Sequence, residues 1–357
     1  VRLAICALLL AWILHVIFLN EGRLTWERQG RSWDALSKVD QWTIGWTYGP
    51  RELGHTLVQV STQALGLSTL IAGMAIVVGA IRWSLVLHVA GLDLRFSRAM
   101  EISFIAHFFN AFLLGSTGGD LLKAYYAARE TRHKKIEAVV TVYVDRLIGL
   151  FSVLLFAGLM VPPNAGLLFS QGRLAAITWL ELAMLAACSV IVGLSFWGGI
   201  SRGLPQVRVW LRRLPQAESI ERSLEACRHF GRRPLFLLQA LGLSMLLTGL
   251  FVLQMMALAW GMNLRISPTA MLVIVPMIIC ISALPITPSG LGVRENLYVL
   301  LLGAPVIGIG ATQAFSLSLL AYACNLFWSV IGAGVYLGLK ESRHLSEVTR
   351  TDEVTAG

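Results

Sequence analysis

Eight apolar stretches, each 17 residues or longer, leave this chain little choice of fold. They lie at about 2–19, 64–90, 99–115, 139–161, 174–198, 235–262, 269–286 and 311–338. Runs of that length are what a helix needs to cross a hydrocarbon core about 30 Å thick. In lipid every backbone N–H and C=O must be satisfied internally, so such runs select helices. Composition agrees: 56% of the 357 residues are hydrophobic and 14% are charged, whereas a soluble domain carries about 25% charged residues. The expectation is an all-α polytopic membrane protein, one membrane domain filling 1–357. The largest polar insertions, 20–55 and 200–234, are too short to fold alone.

The first run has only Arg2 before it and no small-residue cleavage site after it, and it reads as a retained anchor. The cysteines Cys6, Cys188, Cys227, Cys280 and Cys324 are scattered, without a CxxC or Cys/His cluster. Neither a disulfide framework nor a metal or other cofactor is expected. No P-loop, nucleotide fingerprint or Ser-His-Asp order is present, so ATP-driven and hydrolytic chemistry have no support, and nothing suggests a nucleic-acid partner.

Charge asymmetry sets the expected topology. The 200–234 connection carries Arg202, Arg208, Arg212, Arg213, Arg222, Arg228, Arg232 and Arg233 against three glutamates, which places it in the cytoplasm against anionic inner-leaflet lipids. The 340–357 tail belongs on the same side through Lys340 and Arg343, as do Arg95 and Arg98 and the segment bearing Arg129, Arg132, Lys134 and Lys135. Both termini are then cytoplasmic, and the membrane reads as a bacterial inner membrane. The 20–55 insertion balances its charges and holds Trp26, Trp33, Trp42 and Trp46, as an outer interfacial segment does.

Eight full crossings would put the basic flanks of 99–115 on opposite sides. The economical alternative is about six crossings plus two re-entrant helical hairpins, 99 to about 125 entering from the cytoplasm and 269 to about 303 from outside. Their tips would be Gly115-Ser116-Thr117-Gly118-Gly119-Asp120 and Pro285-Ile286-Thr287-Pro288-Ser289-Gly290-Leu291-Gly292, where Gly and Pro break helices. Residues 64–161 and 235–338 each give a span, a hairpin and a span, an inverted-repeat plan whose broken helices meet near the midplane.

Charges inside the apolar runs carry the candidate chemistry: Arg82, Asp120, Lys123, Asp145, Arg146, Arg294 and Glu295. Each costs about 2.5–3.5 kcal/mol at a helix centre, so each needs a partner or a use. Neighbours in a helix do not face each other, so Arg146 is expected to pair with Asp120 or Glu295, and Arg294 with Asp145. Arginines beside glycine-rich helix N-termini suit phosphate, which nominates Arg146, Arg294, Lys123, Asp120, Asp145 and Glu295 with Gly118, Gly119, Ser289, Gly290 and Gly292 as a headgroup site. The competing reading is an ion-pair network that only fixes packing. Arg82 reads either as a snorkelling anchor or as a ligand contact. Glu181 reads either as a proton-coupling carboxylate or as a residue facing a polar neighbour. His15, His88 and His107 read as packed or interfacial, and Asn110 and Asn325 as helix-bridging amides.

Arg82-Trp83, the Gly118–Tyr126 run (GGDLLKAYY), Val144-Asp145-Arg146 and Pro285–Glu295 (PITPSGLGVRE) together resemble the lysylphosphatidylglycerol synthase transmembrane region, also called the flippase-like domain family. About 17 polar residues follow the last run, so the chain is similar to the membrane half without the aminoacyl transferase domain of the bifunctional members. The first tip lacks a proline that many relatives carry. The resemblance implies a lipid flippase-like transporter of a phospholipid or lipid-linked glycan. A membrane enzyme or enzyme partner acting on lipid-linked sugars and a small-anion secondary transporter remain alternatives. Homo-oligomerisation is left open.

Overall fold

The computed structural model describes residues 2–92, 94–112, 118–130, 135–196, 229–284, 290 and 292–355. Among them there are helices and turns and no strand. The helices are α1 (Arg2–Arg28), α2 (Lys38–Val58), α3 (Thr62–Val89), α4 (Phe96–Phe112), α5 (Gly118–Glu130), α6 (Lys135–Met160), α7 (Ala165–Leu168), α8 (Gly172–Phe196), α9 (Pro234–Gly261), α10 (Pro268–Ser282), α11 (Val293–Leu302) and α12 (Ala311–Thr355). Prolines at the first or second position start α9 and α10, where a missing N–H leaves no bond unmade.

Among the described residues, five helices are long and apolar enough to cross a membrane: Thr62–Val89, Ile136–Met160, Gly172–Gly193, Pro234–Gly261 and Ala311–Gly338. Each overlaps an apolar stretch in the sequence with ends shifted by a few residues. The segment 20–55 is not one insertion. It divides between the end of α1 and most of α2, which fold back on each other. Gly22 sits against Gly45, and Gly49 against Phe18, so the two helices run antiparallel in close contact.

Helix packing follows an exchange pattern. α3 packs along α9. Every other close packing in the first set of helices has a counterpart when α3, α4, α5 and α6 are swapped with α9, α10, α11 and α12: α4 with α12 and α10 with α6, α5 with α6 and α11 with α12, α3 with α12 and α9 with α6. Lipid offers no hydrophobic drive between helices, so close approach depends on small residues. A Cβ on Gly73 would enter the Trp328 ring, one on Gly261 would strike Ala64, and one on Gly332 would strike the Phe104 carbonyl. The Trp328 indole N–H also donates to the Thr69 carbonyl at 2.7 Å, tying α12 to α3.

The core sits where α9, α10, α11 and α12 converge. Met271, Ile274, Ile278, Tyr298, Leu301, Leu302 and Leu317 are buried there. α8 lies outside the exchange set, packed on α6, α10 and the short α7, with Trp179, Leu180, Val190 and Ile191 exposed on its outer face.

Candidate functional site

Four helices of the bundle and two short hairpins surround a cavity of about 520 Å³. Its charged lining is Arg82 from α3, Asp120 and Lys123 from α5, Asp145 and Arg146 from α6, and Arg294 from α11. Four cations therefore face two carboxylates. Glu295, fully buried behind Arg294, supplies a third.

The first hairpin is closed by backbone contact. The Gly119 N–H donates to Asn110 Oδ1 at 2.8 Å, and a Cβ on Gly119 would collide with the Ala106 carbonyl, so α5 can begin here only with glycine. Gly118 and Gly119 are both buried. That start leaves Asp120 in the first turn of α5, where a carboxylate suits the positive end of the helix. It reaches Arg146 at 3.2 Å, as the sequence suggested, and the Arg146 side chain stays 42% exposed. One turn on, Lys123 Nζ lies 4.9 Å from the centroid of the buried Trp83 ring, a cation–π contact. Residues 113–117, the rest of this tip, lie outside the described residues.

The second hairpin is built differently. Gly290 and Gly292 have φ of +70° and +84°, a region that other residues rarely adopt. Gly292 precedes α11, and its N–H donates to Glu295 Oε2 at 2.6 Å, half of a capping box. Glu295 Oε1 accepts from Arg294 Nε at 3.1 Å and Nη2 at 2.5 Å. Arg294 Nε also approaches Ser318 Oγ at 3.2 Å, and its guanidinium lies 5.0 Å from the Tyr322 ring centroid. Ser289, with 285–288 and Leu291, lies outside the described residues.

One of the expected pairings is thus corrected. Arg294 does not pair with Asp145 but with its own neighbour, because in the first turn of a helix a long guanidinium can bend back to a carboxylate already turned toward the cap. Asp145 instead accepts from Arg82 Nε at 2.8 Å, with side-chain exposures of 11% and 12%. Arg82 also donates from Nη1 to Ser244 Oγ at 2.8 Å, and Gly149 makes room for its head. Arg82 points into the protein, not out to the membrane surface.

The cavity also recruits residues that no motif announced. Ser244 is one, and Ser282, Tyr322 and Asn325 line it too. His107 lines it and contacts the Asn325 carbonyl at 3.2 Å, while the Asn325 side-chain amide donates to the Ala321 carbonyl within its own helix. His15 accepts from the Trp46 indole at 3.1 Å, far from the cavity. Glu181 is absent from the lining; it is fully buried, and neither oxygen has a hydrogen-bond partner among the described residues.

Long apolar helices around a charged interior define an integral, all-α polytopic membrane protein. The description "Lysylphosphatidylglycerol synthase TM region" matches residues 35–334, and the chain belongs to that family. The match takes in every charged residue of the cavity. No curated protein matches the chain.

Proposed function

We propose that the protein moves a phosphate-bearing lipid or lipid-linked headgroup between leaflets, the headgroup entering the cavity while the acyl chains stay in lipid. The observation that carries this reading is the cavity itself. Four cationic side chains meet at one cavity inside an apolar bundle, beside the start of α5, and with Glu295 counted one positive charge is left over. Such an excess suits an anion. Arg146, the most exposed of the three paired arginines of the cavity, and Lys123 would meet the phosphate, with Arg294 presenting its remaining face beside Tyr322. Asp120 would hold Arg146 in the meantime and be displaced by the cargo.

The hairpins are read as re-entrant. At 1.5 Å per residue α5, α10 and α11 reach about 20, 22 and 15 Å, short of a core about 30 Å thick. The exchange of packing partners supports an inverted repeat of 64–161 and 235–338. With α1 as a sixth crossing, the positive-inside rule keeps both termini and the 200–234 connection in the cytoplasm of a bacterial inner membrane. Residues 197–228 of that connection lie outside the described residues.

The test is translocation of fluorescent phosphatidylglycerol in vesicles carrying the purified protein, scored by quencher accessibility, beside uptake of inorganic phosphate. Lipid movement above protein-free vesicles supports the reading. Phosphate uptake without lipid movement would favour a small-anion transporter, and chemical conversion of the lipid would favour an enzyme.

A further inference from the structure

Glu181 stands apart from every other ionisable residue in the membrane region that the structure describes. It is 0% exposed, and neither carboxyl oxygen has a hydrogen-bond partner among the described residues. The other buried carboxylates, Asp145 and Glu295, are each satisfied by an arginine.

Among the described residues its neighbours carry no charge. α8 packs against α6, α7 and α10. On α6, Gly158 faces it: a Cβ there would stand 3.8 Å from Glu181 Oε1. From α10 the titratable neighbour is Cys280, within electrostatic reach, with Cys188 of α8 near it; α7 (AGLL) offers none. The charged groups of α6 that enter the bundle are occupied elsewhere, Asp145 with Arg82 and Arg146 with Asp120. An ionised carboxylate without a partner in apolar packing is very costly, and such a group takes up a proton instead. As a packing element it is a poor choice: it caps no helix and bridges no pair.

Its position adds the second half of the argument. Cys280 lines the charged cavity and shares a buried cluster with Met184, Leu185 and Cys188 of α8, so the helix that carries Glu181 lies one layer behind the cavity wall. α8 packs closely on α6, α7 and α10 and is exposed at Trp179, Leu180, Val190 and Ile191. A small separation of α8 from α6 and α10 would wet the carboxyl while altering the wall that Cys280 and Ile279 contribute.

We propose that Glu181 is a proton-binding site coupled to the cavity: it holds a proton in the arrangement described and releases it to water when α8 parts from α6 and α10. The exchange is simple. The O–H bond breaks, the proton passes to entering water, and the carboxylate is reprotonated when the helices close. This inference rests on the transport reading above for its link to lipid movement, but the proton site itself does not.

The experiment uses the full chain in vesicles with fluorescent phosphatidylglycerol, wild type beside Glu181→Gln, with and without a pH gradient of about one unit. For one proton per lipid, the gradient should shift the wild-type steady-state distribution by up to about tenfold. Glu181→Gln should keep gradient-free translocation and lose the shift. A variant that still responds as wild type does overturns the coupling. Infrared spectra of the same proteoliposomes provide a readout independent of transport: a protonated-carboxyl C=O band present in wild type and absent in Glu181→Gln is expected. Absence of that difference overturns the proton site. A wild type that moves no lipid overturns the transport reading and with it the coupling; the proton site is then decided by the band.

Discussion

The two hairpins present their charges to the same cavity in opposite ways. In the second, Glu295 is sealed at 0% exposure and used twice, once as a cap on the Gly292 N–H and once as the partner of Arg294. In the first, Asp120 and Arg146 meet at 3.2 Å with 22% and 42% of their side chains exposed, and Lys123 Nζ lies over the Trp83 ring. The second arrangement builds a hairpin. The first keeps charge within reach of a ligand, because a partly solvated pair exchanges partners at little loss while a buried one does not. Under the proposed function, the second tip chiefly supplies packing and the first supplies the pair that the cargo displaces.

Breaking the buried pair should have the largest effect. Glu295→Ala leaves Arg294 without its carboxylate and Gly292 without its acceptor, a change expected to cost about 3–5 kcal/mol and to appear as a lower thermal midpoint in detergent. A midpoint close to wild type would show that the second tip is not held by this residue. Next comes the closed contact of the first hairpin. Gly119→Ala must push α5 away from the Ala106 carbonyl, with a penalty of about 1–3 kcal/mol by overpacking. Unchanged stability there would mean that α4 and α5 give way easily.

The smallest stability effect belongs to the exposed pair. Asp120→Asn should change stability by no more than about 1 kcal/mol, since the Arg146 side chain is 42% exposed and this pair is partly solvated. Translocation should still respond, because the cargo and Asp120 compete for one guanidinium. A loss of stability as large as that of Glu295→Ala would erase the distinction between the tips. Topology offers an independent check: a cysteine near Arg129 should label from the cytoplasm and one near Ala304 from outside if both hairpins are re-entrant.

Much of the architecture could be read from the chain because length and hydropathy act at the scale of whole helices. The ends of α3, α6, α8, α9 and α10 fall within a few residues of the apolar runs. The glycines of both tips were also visible, since a close approach or a positive φ leaves few alternatives to Gly. The direction of each buried charge was harder to read. α3 is apolar on all sides, so periodicity does not say which face Arg82 occupies. Its inward course depends on Gly149 and Ser244, residues that look ordinary in their own helices. The Arg294–Glu295 contact escaped because the rule that adjacent residues diverge holds inside a helix and fails in a first turn bent toward its cap. Tyr322, Asn325 and His107 reach the cavity from α12 and α4, and only tertiary packing brings them there.

The central claim is that Arg146 meets a phosphate in the cavity through its planar fork and not merely as a charge. Lipid translocation by Arg146→Lys, measured in vesicles beside wild type with thermal stability read on the same preparations, tests it most directly. Lysine preserves the charge facing Asp120 but cannot bind phosphate with two parallel N–H groups. The account predicts translocation well below wild type with the thermal midpoint nearly unchanged. Wild-type translocation by Arg146→Lys would contradict it.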